Sequence, residues 1–316
     1  MKPNSLTSLL AEADIYAKAA RSISTHRARG YDWKLFTEWC AGMGVSALPA
    51  TTETATAFLV DQSKSRTVST LTRYRWSISG MHKENGYASP FAGAKIHNVF
   101  EGIKRTKGVA QRGRDALDYD VVANAKSGTT KADLRDRALV LFGFMTALRG
   151  IELCALDIED LTFTEKGVLV AVRKSKDDQY REGRTVSVPR AKAKRTCPVV
   201  ALEKWLAVIP KNGPVFRGVR ANGEPGVERI SRGTVWAVVK KVADKAGLKG
   251  EYGSHSLRVG YVTRARKNGV GWEAIRAQTG HVGEVAKRYS RHVQNPFEES
   301  QSSNVLEGAA KKGKKR

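Results

Sequence analysis

At 316 residues the chain is about twice the size of a common single domain, and 55 Lys and Arg against 31 Asp and Glu give it a formal net charge of +24. Self-repulsion on that scale calls for a counter-charged partner, nucleic acid before any other, with a basic ribosomal-type protein as the plainer reading. A hydrophobic fraction of 41% with only 9 prolines excludes a disordered or collagen-like chain, and the longest apolar runs, such as 138–145, are too short for a membrane span.

The first twenty residues are polar early and acidic by Glu12 and Asp14, which is not a secretory signal. From Ser24 onward Tyr31, Leu35 and Trp39 recur four apart and predict a helix with those residues on its buried face, stopped at Gly42 and Gly44. Thr51 or Thr52 with Glu53 starts a second helix. A third runs from Thr67 to Glu84 with Val68, Leu71, Ile78 and Met81 as its apolar stripe, leaving Thr70, Thr72, Arg73 and Arg75 largely off it. A fourth spans His97 to Arg105. No strand-like alternation occurs here, so residues 1–107 read as an all-α domain. Residues 108–116, rich in Gly and charge, read as a linker.

The second half is mixed. Residues 134–145 predict a strongly apolar helix. Two β-rich runs, 168–172 and 184–188, flank a charged segment and predict a hairpin with a long basic tip. Helices are expected over 198–208, 231–246, 255–267 and 272–279 and around Ala286, and the polar stretch 294–316 ends in a basic arm. The fold class expected is therefore mainly α with a small β-sheet. Cys40, Cys154 and Cys197, odd in number and widely spaced, form neither a disulfide framework nor a zinc pattern and suit a reducing cytoplasm.

Phosphate-binding glycine motifs, HExxH and Cys/His clusters are all missing from the sequence, so no cofactor and no metal are expected. DNA chemistry would then run on side chains: a nucleophile, cations around the non-bridging oxygens, and an acid for the leaving oxygen. Arg149 follows the apolar helix at a turn, with Glu152 three residues on as a natural ion-pair partner. His255 and Arg258 stand at i and i+3 on one helix face. His281 follows Gly280, and Tyr289 lies eight residues later. A lone HxxR or a lone Tyr carries no weight; order and spacing together do.

Arg149 within ALRGIEL, Lys176 in the hairpin, His255-Ser256-Leu257-Arg258, Gly280-His281 and Tyr289 in KRYSRH resemble the signature of the tyrosine recombinase (phage integrase) family. The segment TVSTLTRYRWSISGMHKENGYASP resembles that family's helical core-binding (SAM-like) domain, with HSLRVG pointing to the Cre-like branch. The resemblance implies a core-binding domain over 1–107 and a catalytic domain over 117–293 closing on DNA as a C-shaped clamp. Arg149 and Arg258 would hold the scissile phosphate, since a guanidinium fork matches phosphate better than an ammonium. Tyr289 would be the nucleophile, His255 the base, Lys176 the acid for the 5′ oxygen (Lys174 its rival), His281 a phosphate ligand and Glu152 their support. Thr70, Arg73 and Arg75 would meet DNA.

The implied activity is site-specific recombination of double-stranded DNA through a 3′-phosphotyrosine. The protein would be a monomer in solution and a homotetramer on DNA, cytoplasmic and of prokaryotic or phage origin. The tail beyond 294, with Pro296-Phe297 and Val305-Leu306, would dock on a neighbouring protomer. One departure stands out. His281 and Tyr289 are eight steps apart where the family usually has nine, and a deleted residue rotates later helical positions by about 100°. Tyr252 and Tyr261 are the other nucleophile candidates, Tyr261 lying in an apolar helix that suits a core role. A catalytically impaired DNA-binding relative and a type IB topoisomerase remain as alternatives, and an RNA-binding protein is disfavoured for want of a stacking-sheet motif.

Overall fold

The computed structural model describes residues 6–109, 113–173 and 183–281. The chain divides into two units, Met1–Arg112 and Gly113–Arg316.

The first unit is all helical: α1 (Leu6–Ala19), α2 (Ile23–Gly42), α3 (Thr52–Ser63), α4 (Val68–Glu84) and α5 (Ala94–Lys107). Ser22, Thr51 and Thr67 cap α2, α3 and α4 by accepting the N–H three residues ahead, which satisfies donors that have no intrahelical partner. Phe36, Phe58, Leu71, Tyr74, Ile78, Ile96 and Phe100 form the core. The expected face of α2 is only partly right, because Tyr31 is 59% exposed. The buried face instead carries Arg29, Asp32, Phe36 and Cys40. Two of these are charged, and each is matched on α4. Asp32 accepts from Arg73 Nε and Nη2 and from Ser77 Oγ. Arg29 makes a two-point bond to Glu84 at 2.9 Å, and Arg29 with Arg21, which bonds the same carboxylate at 2.7 Å, holds its pKa down at about 2. A buried charge is tolerated when it is paired, so hydrophobic periodicity alone misplaces this stripe. Helix α1 gave no such periodic signal, and its Leu6, Leu10, Ile15 and Tyr16 are exposed.

The second unit is mostly helical with two small antiparallel sheets. It runs α6 (Tyr119–Asn124), α7 (Lys131–Thr146), α8 (Gly150–Ala155), β1 (Leu161–Thr164), β2 (Gly167–Val172), β3 (Arg184–Pro189), α9 (Pro198–Leu206), β4 (Arg217–Val219), β5 (Pro225–Arg229), α10 (Arg232–Lys245), α11 (Ser254–Lys267) and α12 (Trp272–Thr279). The expected hairpin is β2–β3, with Val168 opposite Val188 and Val172 opposite Arg184. β1 adds a third strand that sequence reading missed, because it is only four residues long and largely exposed. The short β4–β5 pair was likewise unread.

Helix α7 is the centre of this unit. Residues 138–144 are buried on every side, against α9, α11 and the sheet, as expected of a helix without a polar face. Residues at the end of the expected linker belong here as well. Asp115 N–H bonds Glu251 O at 3.1 Å and Leu117 N–H bonds Ser256 O at 3.2 Å, which ties the entering chain to the start of α11. Gly260 makes that approach feasible. A Cβ there would run into the Leu117 carbonyl oxygen and a Phe144 ring carbon 2.8 Å away. Gly260→Ala is therefore expected to destabilise the second unit by about 1–3 kcal/mol, read as a lower chemical-unfolding midpoint with loss of protection at the α11 amides; an unchanged midpoint would contradict the close approach.

Candidate active site

Helix α7 ends at Ala147, whose φ of 50° and ψ of 26° place it in the left-handed region. The reversal brings Arg149 in extended conformation directly before α8. Glu152 then fixes Arg149 twice. Its Oε2 accepts the Arg149 backbone N–H at 2.9 Å and its Oε1 accepts from Arg149 Nη1 at 2.8 Å. The Glu152 side chain is 1% exposed and that of Arg149 17%, so the guanidinium is held from behind while part of it reaches solvent. Glu152 thus does what its spacing suggested, and it also serves as a capping residue for α8.

From α11, Arg258 is fully buried. Its Nη1 donates to Ala147 O at 2.8 Å and its Nε to His281 Nε2 at 3.3 Å. That second bond determines the imidazole's tautomer. With Nε2 accepting, Nδ1 carries the proton and donates to Thr279 Oγ1 at 2.8 Å, and the hydroxyl donates to Ile275 O at 2.6 Å. Gly280, at φ +66°, makes the left-handed turn off α12 that delivers His281 to Arg258. Burial, then Arg258 and Arg149, push the His281 pKa down to about 3. The same causes hold His255 at about 4. Both rings are neutral near pH 7, as a base requires.

Arg184, which sequence reading passed over, joins this cluster from β3. Its Nη2 lies 3.6 Å from Glu152 Oε2, with the side chain 18% exposed. Three guanidiniums, of Arg149, Arg184 and Arg258, therefore surround one carboxylate and two neutral imidazoles. The cluster carries excess positive charge in a largely dehydrated place, which suits an oxyanion with several acceptor oxygens. Among the described residues no three His, Cys, Asp or Glu side chains group so as to hold a metal ion.

Lys174, Lys176 and Tyr289 lie outside the described residues, as do the helix expected around Ala286 and the tail from 294. Strand β2 stops at Val172, and β3 begins at Arg184 opposite it. Tyr261 leans on Phe144 with ring centroids 6.4 Å apart, and burial raises its pKa; Tyr252 also packs against the core. In the first unit Thr70 Oγ1 contacts Thr67 Oγ1. Arg73 is half exposed while bonded to Asp32, and those bonds raise its pKa. The Arg75 guanidinium stacks 4.2 Å from the Phe100 ring centroid, and burial lowers its pKa.

A sequence profile of the phage integrase family matches residues 119–295, more than half of the chain. The chain belongs to the phage integrase family. An integrase/recombinase xerD homolog of Selenomonas ruminantium is 32% identical over 279 residues, spanning 85% of this integrase-family chain and 82% of the relative. Among solved structures, the Tn1549 transposon integrase in complex with transposon right end DNA has a TM-score of 0.63 at 14% identity, covering 95% of this chain and 98% of that one. The XerH site-specific recombinase bound to palindromic difH substrate has a TM-score of 0.61 at 18% identity, covering 80% and 72%. Both likenesses concern the fold, and they agree with the mostly helical architecture with small antiparallel sheets.

The two depressed histidines make the integrase fold acid-sensitive. A folded-state pKa below the ordinary value of 6.5 means that the unfolded chain takes up protons first as pH falls. Their stabilising contribution is complete above about pH 6.5 and is lost as pH falls through about 4 and then about 3. We expect NMR titration to place both imidazoles below pH 5 and chemical unfolding of the second unit to weaken from pH 6.5 downward; a His255 or His281 titrating near its ordinary value would refute the dehydrated site.

Proposed function

We propose that this chain is a tyrosine-type site-specific recombinase that breaks and rejoins double-stranded DNA through a covalent 3′-phosphotyrosine. The observation that carries the reading is the dehydrated, net-positive cluster of Arg149, Arg258, His255 and His281 braced by Glu152, in a member of the phage integrase family. Arg149 and Arg258 take the non-bridging oxygens of the scissile phosphate and oppose the charge of the pentacoordinate transition state. The Tyr289 oxygen bonds to phosphorus, the bond from phosphorus to the 5′ oxygen breaks, and His255 accepts the phenol proton while Lys176, with Lys174 as rival, protonates the leaving oxygen. An ester is exchanged for an ester, so the link to tyrosine keeps the bond energy needed for rejoining.

Phosphate entry also answers two features of the site. The anion offsets the guanidiniums that hold His255 near 4, raising the ring toward the range in which a base operates near neutral pH. It further draws Arg258 Nε away from His281, whose ring then switches tautomer and donates Nε2–H to the phosphate, with Thr279 turning to donate to Nδ1.

Residues 1–107 and 117–293 act as core-binding and catalytic domains joined through 108–116 and close on DNA as a clamp, with the α4 surface around Thr70, Arg73 and Arg75 toward the duplex. Two duplexes exchanged through four cuts call for a homotetramer on DNA, assembled from monomers whose +24 charges repel until DNA neutralises them. A cyclic assembly needs head-to-tail contacts, which the tail supplies. We place the protein in the cytoplasm; among the described residues no helix is long and apolar enough to cross a membrane. The His255–Gly260 segment supports a position near the Cre-like branch, whereas the relative reported above carries a Xer name. A cleavage-impaired DNA binder is the second reading, and the eight-residue step from His281 to Tyr289 is what favours it.

A nicked suicide duplex, tried with EDTA present, separates these readings. The wild-type protein is expected to form a covalent adduct and Tyr289→Phe to bind equally well without forming one. Adducts persisting in the variant would move the nucleophile elsewhere, and none in either protein would favour the impaired relative. For assembly, deletion of 294–316 is expected to spare single-site binding and reduce cooperative occupancy and recombination in gel-shift and plasmid assays; full synapsis after the deletion would remove the tail from the contact.

A further inference from the structure

Strand β3 alternates cleanly. Val186 and Val188 are buried, Thr185 and Ser187 are exposed, and Arg184 occupies the next inward position of the valine row. Its cross-strand neighbour Val172 is buried too. A guanidinium continuing an apolar row requires a countercharge and room from its surroundings, and two parts of the phosphate cluster supply one each. One is Glu152, whose Oε2 sits 3.6 Å from Arg184 Nη2 while the same carboxylate grips Arg149 by main chain and side chain. The other is Gly280. A Cβ on that residue would lie 2.6 Å from Arg184 Nη1 and 2.7 Å from its Cζ, so the guanidinium fills the space a side chain at 280 would need. The next residue is His281. Arg184 thus touches the brace of one phosphate-holding arginine and the turn that sets the phosphate-facing histidine, from the strand at which the lysine-bearing segment rejoins the sheet.

We propose that Arg184 is a positioning residue for strand cleavage, acting through Glu152 on Arg149 and through Gly280 on His281. The inference rests on the recombinase reading above. Arg184 is not assigned a contact with the reacting atoms. Its place is behind them, where a fork-shaped cation can bridge a carboxylate and a tight turn that a compact ammonium meets only one at a time. Beside burial, the charges of Arg258, Arg149 and, with a smaller effect, Arg184 hold His281 neutral, which gives a signature independent of catalysis.

The full-length protein is compared with Arg184→Ala, Arg184→Lys, Glu152→Gln and the Ala–Gln double variant, on a suicide duplex carrying the footprinted binding site. Arg184→Ala is expected to slow single-turnover cleavage about 10- to 100-fold, the scale of a misplaced reacting group, with its Kd for DNA within about threefold of wild type. If Arg184 works through Glu152, adding Arg184→Ala to Glu152→Gln lowers the rate by much less than in the wild-type background. Arg184→Lys, which keeps the charge, retains the low His281 titration in NMR and only part of the rate, whereas Arg184→Ala raises that titration. Should the alanine variant fail to fold, Arg184→Lys and Arg184→Gln carry the same comparison. Wild-type adducts matched in rate by every Arg184 variant, or rate losses that multiply fully with Glu152→Gln, overturn the inference and leave the recombinase reading intact. No adduct from the wild-type protein overturns that reading and this inference with it.

Discussion

The Glu152 side chain keeps 1% of its surface in water, and Arg149 and Arg184 both lie against it. A carboxylate so dehydrated is tolerable only because a main-chain N–H and guanidiniums satisfy it. Removing one partner from such a buried pair generally costs on the order of 3–5 kcal/mol. Much else depends on this one group. It caps α8, fixes the backbone of Arg149, orients that guanidinium outward and draws β3 toward the cluster. Arg258 has a different anchor, the Ala147 carbonyl at the left-handed end of α7. The two arginines are thus set by separate devices that meet at the turn between α7 and α8, so this turn governs their spacing.

Much of this site can be read from the chain, for identifiable reasons. Arg149 stands out because a charge directly after a helix buried on all sides needs a partner, and Glu152 stands where a capping residue belongs. His255 and Arg258 share a helix face by spacing alone. Arg184 was within reach too, as a charged residue at an inward position of the alternating row it shares with Val186 and Val188, a pattern to which attention to apolar runs is blind. Thr279 and Ala147 had no signal of their own. One matters through a hydroxyl that accepts from His281, the other through a carbonyl.

The fold shows the same division. Long helices with clear stripes, α4 and α7 above all, are evident from periodicity. The α2 face is misread because Asp32 and Arg29 are buried through partners on α4, and pairing across helices leaves no trace in a single-helix pattern. β1, β4 and β5 are three to five residues long and bury only Arg217 among them, so each offers too few positions to show a strand period. The net charge of +24 pointed to a polyanionic partner, yet several of these cations are already engaged inside the protein. Arg29, Arg73 and Arg149 each hold a carboxylate, pairs that the net figure already cancels, so a ligand meets fewer cations than the 55 basic residues.

The entry of the chain into the second unit has a mechanical meaning. Leu117 N–H is bonded to Ser256 O, one residue beyond His255 and two before Arg258, and the Leu117 carbonyl packs where Gly260 leaves room for it. A shift of the backbone at Leu117 is therefore delivered directly to the helical turn bearing that histidine and arginine. The chain entering this unit is fastened at Leu117 to the turn bearing His255 and Arg258, and a displacement of Leu117 would act on that histidine and arginine before it reached the rest of the core.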